Sequence, residues 1–175
     1  MSAVTLAPAP EDAAALEAAG AHHARLAGEL TGRVTMLLAA AERDPEAAER
    51  IRAGLVALCE REILPHTAAE EAVLHPAARR LPGSRLLIES MAADHSCLTA
   101  LVDALRTAPT PVDAAADARA LHVFFEEHVA RETGLVLPLL ALAPDIRLAT
   151  LWREVRDRCA RHTPVDGPDQ DRAVR

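Results

Sequence analysis

The sequence predicts an all-α protein, an up-down-up-down four-helix bundle with an additional short C-terminal helix. Composition points there first: half of the 175 residues are apolar, yet there are only two Phe, one Trp and no Tyr. Sheets favour β-branched and aromatic residues, whereas an Ala- and Leu-rich chain favours helices. Punctuation points the same way, because Pro and Gly cut the chain into long helical stretches joined by short connectors. No internal repeat of solenoid length competes with the bundle. The length suits one domain with a sizeable core.

Residues 1–10 read as a flexible arm, 11–162 as the bundle and 163–175 as a polar, disordered tail. A first helix is expected from about Pro10 to Ala41, with Glu11 and Asp12 in the first turn, where the helix dipole favours acids. Asp44-Pro45 supplies an N-cap and an N1 proline for a second helix that ends near His75-Pro76. Leu81-Pro82-Gly83-Ser84 is a turn, with Ser84 capping a third helix that reaches about Thr107. Pro109 and Pro111 break the chain again. A fourth helix starts near Val112 and ends before Pro138, and a fifth occupies about Asp145–Arg161.

Several functional classes drop out. Acids outnumber bases 26 to 19, for a formal charge of −7, and no basic stripe offers a nucleic-acid phosphate backbone a partner. The N-terminus lacks a basic region before its apolar residues, so it does not read as a secretory signal. The longest nearly uncharged apolar run, Gly134 to Pro144, is too short to span a bilayer. Cys59, Cys97 and Cys159 have neither CxxC spacing nor an even count, so a disulfide framework or zinc ribbon is not expected. A reduced, cytoplasmic setting is the simplest expectation.

The oddity is eight histidines. At about 100° per residue, Leu16, Leu26, Leu30, Val34 and Leu37 make one stripe of the first helix. His23 falls within that stripe, and His22 lies about 100° away as its reserve. The core face of the second helix, Ile51, Leu55, Leu58 and Val73, contains His66 and, at its shoulder, Glu70. Leu87, Met91, Leu98, Leu101 and Leu105 place His95 at the edge of the third helix's face. Leu121, Phe124, Phe125 and Leu135 frame His128 and Glu132 in the fourth. Each helix thus sends a histidine inward, and two add a carboxylate.

Buried carboxylates are costly unless paired or bound to a metal, and a metal centre accounts for all six groups together. Spacing four places His66 with Glu70, and His128 with Glu132, on adjacent turns of one face. That spacing alone is weak, since His122/Glu126 and His162/Asp166 share it. The longer pattern is stronger: His66-x3-Glu70-x5-Pro76 recurs as His128-x3-Glu132-x5-Pro138, and His23-x2-Leu26 is echoed by His95-x2-Leu98. Imidazole and carboxylate without thiolate suit iron, with Mn or Zn also admitted. The Glu-x-x-His pairs of ferritin-like sites and HExxH are absent. Glu62 is read as salt-bridged or an additional ligand, Glu71 as surface, and His75, His122 and His162 as surface or capping groups. Pro65 is expected to bend the second helix.

These residues resemble the hemerythrin-like (HHE cation-binding) family over roughly residues 15–140. Its helices carry His, His-x3-Glu, His and His-x3-Glu in that order, often followed by a run like Glu70-Glu71-Ala72-Val73-Leu74-His75-Pro76. The resemblance implies that Glu70 and Glu132 bridge two irons, with His23, His66, His95 and His128 as terminal ligands. It implies a di-iron protein that binds O2, peroxide or NO as a sensor, store or carrier. Thr99 stands where oxygen carriers have a second helix-three histidine, and Glu132 stands one residue before their helix-four aspartate. These departures keep a catalase-like, peroxide-scavenging enzyme as an alternative, beside a metal-free helical interaction module. The redox or protein partner is not legible.

Overall fold

The computed structural model describes residues 7–162, and every regular element among them is helical. The elements are α1 (Pro10–Ala40), α2 (Pro45–Leu58), α3 (Leu64–Ala78), α4 (Arg85–Thr107), α5 (Pro111–Arg131), α6 (Leu137–Ala141) and α7 (Leu148–His162). Two single π turns, Cys59–Ile63 and Glu132–Val136, join α2 to α3 and α5 to α6. They make two long rods, so the bundle consists of four rods with α7 laid across α1 and α3. The tail expected at 163–175 and the first residues of the arm lie outside the described residues.

Starts and stops follow local chemistry. Asp44 accepts a hydrogen bond from Ala47 N at 2.9 Å and caps α2, and Thr110 does the same for Asp113 N at 3.1 Å. Ser84 is a correction to the expected cap: its hydroxyl donates backwards to the carbonyls of Ala78 and Leu81. It therefore closes the end of α3 rather than the start of α4. Gly83 supplies the left-handed residue of that turn, at φ 77°.

The prolines end less than the sequence suggested. α3 runs through Pro76 to Ala78, and the fourth rod continues past Pro138 to Ala141. The bend expected at Pro65 takes the form of a π turn, and Pro138 has one before it as well. A proline ring crowds the carbonyl four residues back and cannot donate to it; a π turn widens the backbone just ahead. In both turns the leucine before the proline, Leu64 or Leu137, donates five residues back, to Cys59 O or Glu132 O.

The apolar core forms two clusters. One gathers Leu26, Leu30, Leu37, Leu55, Leu58, Leu98, Leu105, Leu121 and Phe125. The other gathers Ala19, Leu74, Ile88, Met91, Val136, Leu140, Leu148 and Trp152. On every rod the inward histidine falls between them in sequence: His23 between Ala19 and Leu26, His66 between Ile63 and Ala69, His95 between Met91 and Leu98, His128 between Phe125 and Val136. The polar groups thus form a layer between two greasy ones. Leu135, expected in the core, is instead exposed within the second π turn.

Candidate metal centre

His23, His66, Glu70, His95, His128 and Glu132, the six residues singled out from the sequence, converge in this layer, and all are buried. His22 is only half-buried, which separates it from His23. His23 Nε2 lies 3.0 Å from His66 Nε2. His95 Nε2 lies 3.2 Å from His128 Nε2. The carboxylates stand between these two pairs. Glu70 Oε1 is 2.7 Å from His66 Nε2 and 3.3 Å from His23 Nε2, while its Oε2 is 3.7 Å from His95 Nε2. Glu132 Oε2 is 3.6 Å from His23 Nε2 and 3.9 Å from His128 Nε2.

The outward nitrogens are held by other residues. Glu71 Oε1 accepts from His95 Nδ1 at 3.0 Å, and Asp94 Oδ2 accepts from His128 Nδ1 at 3.5 Å. Asp94 is itself held by Arg131 at 2.7 Å. Thr133 Oγ1 lies 3.1 Å from His23 Nδ1. A carboxylate can only accept, so Nδ1 of His95 and of His128 carries the proton and each Nε2 presents a lone pair. Two lone pairs 3.2 Å apart repel one another unless something positive lies between them. Imidazole ligands about 2.0–2.1 Å from one cation sit about 3 Å apart at a right angle, close to both separations found here.

Unpaired oxygens point the same way. Glu70 Oε2 and both oxygens of Glu132 are fully buried and accept no hydrogen bond from the described residues. Orphaned buried carboxylate oxygens are rare and call for an ion or a proton. The electrostatics show where protons sit in the metal-free chain. Burial, then the neighbouring Glu70, holds the Glu132 carboxyl well above the usual carboxylate range. Burial opposes the ionised form of Glu70 too, but His66 and the hydrogen bonds from His23 and His66 outweigh it and hold its carboxyl well down. Burial likewise opposes charge on His66, and Glu70 more than compensates, raising it to about 10. Burial lowers His95 to about 3 and depresses His128. Without metal, His95 and His128 present neutral imidazole and Glu70 an ionised carboxylate, whereas His66 and Glu132 hold protons that must leave before either can ligate a metal.

Other expectations fare variously. Glu62 pairs with Arg25 at 2.7 Å, away from the cluster. Thr99 is exposed and its hydroxyl donates to His95 O at 3.0 Å, so it offers the cluster no donor. His75 and His122 are corrections, since both are buried. His75 stacks on His95 with ring centroids 5.2 Å apart, and burial lowers it to about 4. His122 Nε2 lies 2.9 Å from Thr31 Oγ1, joining α5 to α1. The side chain of His162 lies outside the described residues. Glu71 is exposed, as expected, and also holds His95; sequence reasoning missed that second role, the holders Asp94 and Thr133, and Trp152, whose indole lies 6.0 Å from the His23 ring and 6.3 Å from the His66 ring.

A helical bundle with four imidazoles and two carboxylates in its interior is compatible with a metal-binding protein. The family model Hemerythrin HHE cation binding domain matches residues 11–140, and the chain belongs to that family. Neither a curated protein nor a solved structure matches the chain. No helix among the described residues is long and apolar enough to cross a membrane.

Proposed function

We propose that the protein is a cytoplasmic non-haem di-iron protein that binds a small ligand, O2, peroxide or NO, as a sensor, store or carrier. The observation that carries this reading is the division of the cluster into two imidazole pairs with carboxylates between them. Glu70 offers Oε1 to His23 and His66 and Oε2 to His95, the disposition expected of a bridging carboxylate. Glu132 stands between His23 and His128 in the same way. Two adjacent cations account for this better than one.

The chain's own residues then have distinct tasks. His23 with His66, and His95 with His128, would each hold one metal, with Glu70 and Glu132 between them. Glu71, Asp94 and Thr133 fix imidazole orientation from outside. The layers of Leu, Met and Phe above and below exclude bulk water and lower the local dielectric. When bound, the iron pair supplies the redox and ligand-binding chemistry. Imidazole and carboxylate without thiolate suit iron, and Mn or Zn compete for the same donors. The alternation of the two apolar clusters along successive rods supports an up-down-up-down course for the bundle.

Thr99 favours a second reading, a catalase-like peroxide-scavenging enzyme. Its hydroxyl is engaged with its own helix, so a position that resembling oxygen carriers fill with imidazole is left to substrate. Elemental analysis of untagged protein, with absorption spectra before and after anaerobic reduction and exposure to O2 or NO, tests the main reading. About two irons per chain and a ligand-dependent band are expected. Metal-loaded protein that stays colourless in both redox states overturns it, and steady O2 evolution from peroxide selects the enzyme instead. Absence of metal leaves the bundle as an interaction module.

A further inference from the structure

His66 differs from the other inward histidines in what holds its outer nitrogen. Nδ1 of His95 and of His128 donates to Glu71 and Asp94, and Nδ1 of His23 lies against Thr133. No nitrogen or oxygen among the described residues pairs with Nδ1 of His66, although that atom is fully buried. The ring is set from its inner side, where Nε2 lies 2.7 Å from Glu70 Oε1 and 3.0 Å from His23 Nε2. The two nitrogens of an imidazole point in widely different directions, so Nδ1 looks away from the cluster. On its outer side His66 shares a cavity with His22 of α1 and with Trp152, Arg156 and Cys159 of α7. Indole and guanidinium groups only donate, and His22 forms no hydrogen bond with Nδ1. Among these side chains the remaining acceptor is the sulfur of Cys159, a half-buried residue in the last turn of α7. Burial opposes charge on His66, while Glu70 and then the side chain of Cys159 favour it, which places the sulfur against this imidazole.

We propose that Cys159 is a positioning residue of the metal centre, its sulfur accepting from Nδ1–H of His66 and so tying α7 to a ligand that α7 does not carry. The inference rests on the metal centre proposed above. An imidazole bound through Nε2 keeps its remaining proton on Nδ1, and an outer acceptor for that proton fixes the ring and raises its basicity toward the metal. Sulfur is a weaker acceptor than carboxylate, so His66 is held less firmly than His95 and His128. Because its holder comes from outside the four rods, metal occupancy and the docking of α7 favour each other, and the coupling is reciprocal.

The test uses full-length protein loaded with zinc, which is redox-inert and diamagnetic. In wild type, long-range 1H–15N spectra of histidine-labelled protein should show His66 protonated at Nδ1 with a slowly exchanging proton. C159A should speed that exchange and weaken zinc binding about tenfold, measured by competition with a chromophoric chelator. C159V fills the same space without a polar atom and should behave like C159A, whereas C159S restores an acceptor and should recover much of the affinity. If C159A does not fold, C159V against C159S carries the same comparison. Zinc affinity and proton exchange unchanged in C159A and C159V overturn the inference. So does an affinity that falls in C159A and returns in C159V, which marks packing alone, or zinc-loaded wild type without a proton on His66 Nδ1. Each of these leaves the metal centre standing, and a wild-type chain that takes up no metal overturns both.

Discussion

Replacing Asp12 by alanine should loosen α7 from the bundle, and the size of the effect can be worked from one contact. Asp12 lies in the first turn of α1 but is 1 % exposed, and its Oδ1 accepts from Ala149 N at 2.9 Å. Ala149 is the second residue of α7, so an acid on one helix caps the start of another. Loss of a cap costs about 0.5–2 kcal/mol, and loss of a negative charge at a helix N-terminus costs about 0.3–1 kcal/mol more. The sum is about 1–3 kcal/mol. For a domain of this size each kcal/mol moves Tm by about 2–4 °C, so Asp12→Ala should lower it by roughly 2–12 °C. Scanning calorimetry in chelator measures this without the metal contribution. Asp12→Asn keeps an acceptor and should lose about half as much. Hydrogen exchange should show α7 amides losing protection before those of α4 and α5. A Tm within about 1 °C of wild type, or α7 amides as protected as before, would refute the reasoning.

Glu132→Met should remove most of the metal-dependent gain in Tm, which for a ligand at 100 times its Kd corresponds to about 2.7 kcal/mol, while the chelated variant stays folded. Thermal scans with and without metal decide it. Asp94→Ala leaves Nδ1 of His128 without its acceptor and should weaken metal affinity about 10- to 100-fold, measured by competition with a chromophoric chelator. The pH dependence of the metal-free protein follows from its histidines. His75 and His95 have folded values depressed to about 4 and about 3, so their contribution is present above 6.5 and lost as pH falls through those values. His66, raised to about 10, contributes fully below 6.5 and loses its contribution as pH rises through 10. In Glu132→Gln, which removes the carboxyl whose raised value works in the opposite direction, a chelated Tm that climbs on acidification below 6.5 contradicts the His75 and His95 assignments. Thr31→Val breaks the link to His122 and should cost about 1 kcal/mol, read as a shift in the urea midpoint.

The fold and the six inward groups were legible because both depend on period. Apolar positions recurring at helical spacing defined faces, and a histidine on such a face is visible without coordinates. What escaped depended on geometry between helices or on local relief of strain. Pro76 and Pro138 read as terminators, but α3 runs through Pro76 to Ala78, and a π turn ahead of Pro138 carries the fourth rod on to Ala141. His75 precedes a proline and looked like a cap, yet it packs flat against His95 across the helix interface. Asp12 looked like a charge for its own helix dipole, and it serves that of α7.

The outer holders follow a rule that becomes visible only once the helices are placed. Glu71 follows Glu70 and holds His95; Asp94 precedes His95 and holds His128; Thr133 follows Glu132 and lies against His23. In each case the residue beside an inward donor reaches sideways to the imidazole of another rod. One step along a helix turns a side chain by about 100°, from the bundle axis toward the seam between rods, which is why a neighbour of an inward residue meets the outer nitrogen of the next histidine. Position on the seam also sets the chemistry. A carboxylate there fixes the Nδ1–H tautomer and frees Nε2, while a hydroxyl can donate or accept and leaves the tautomer open. By this argument His95 and His128 are committed to offering lone pairs inward, and His23 with Thr133 is adaptable. The adaptable imidazole borders Trp152, at the end of the cluster that α7 covers.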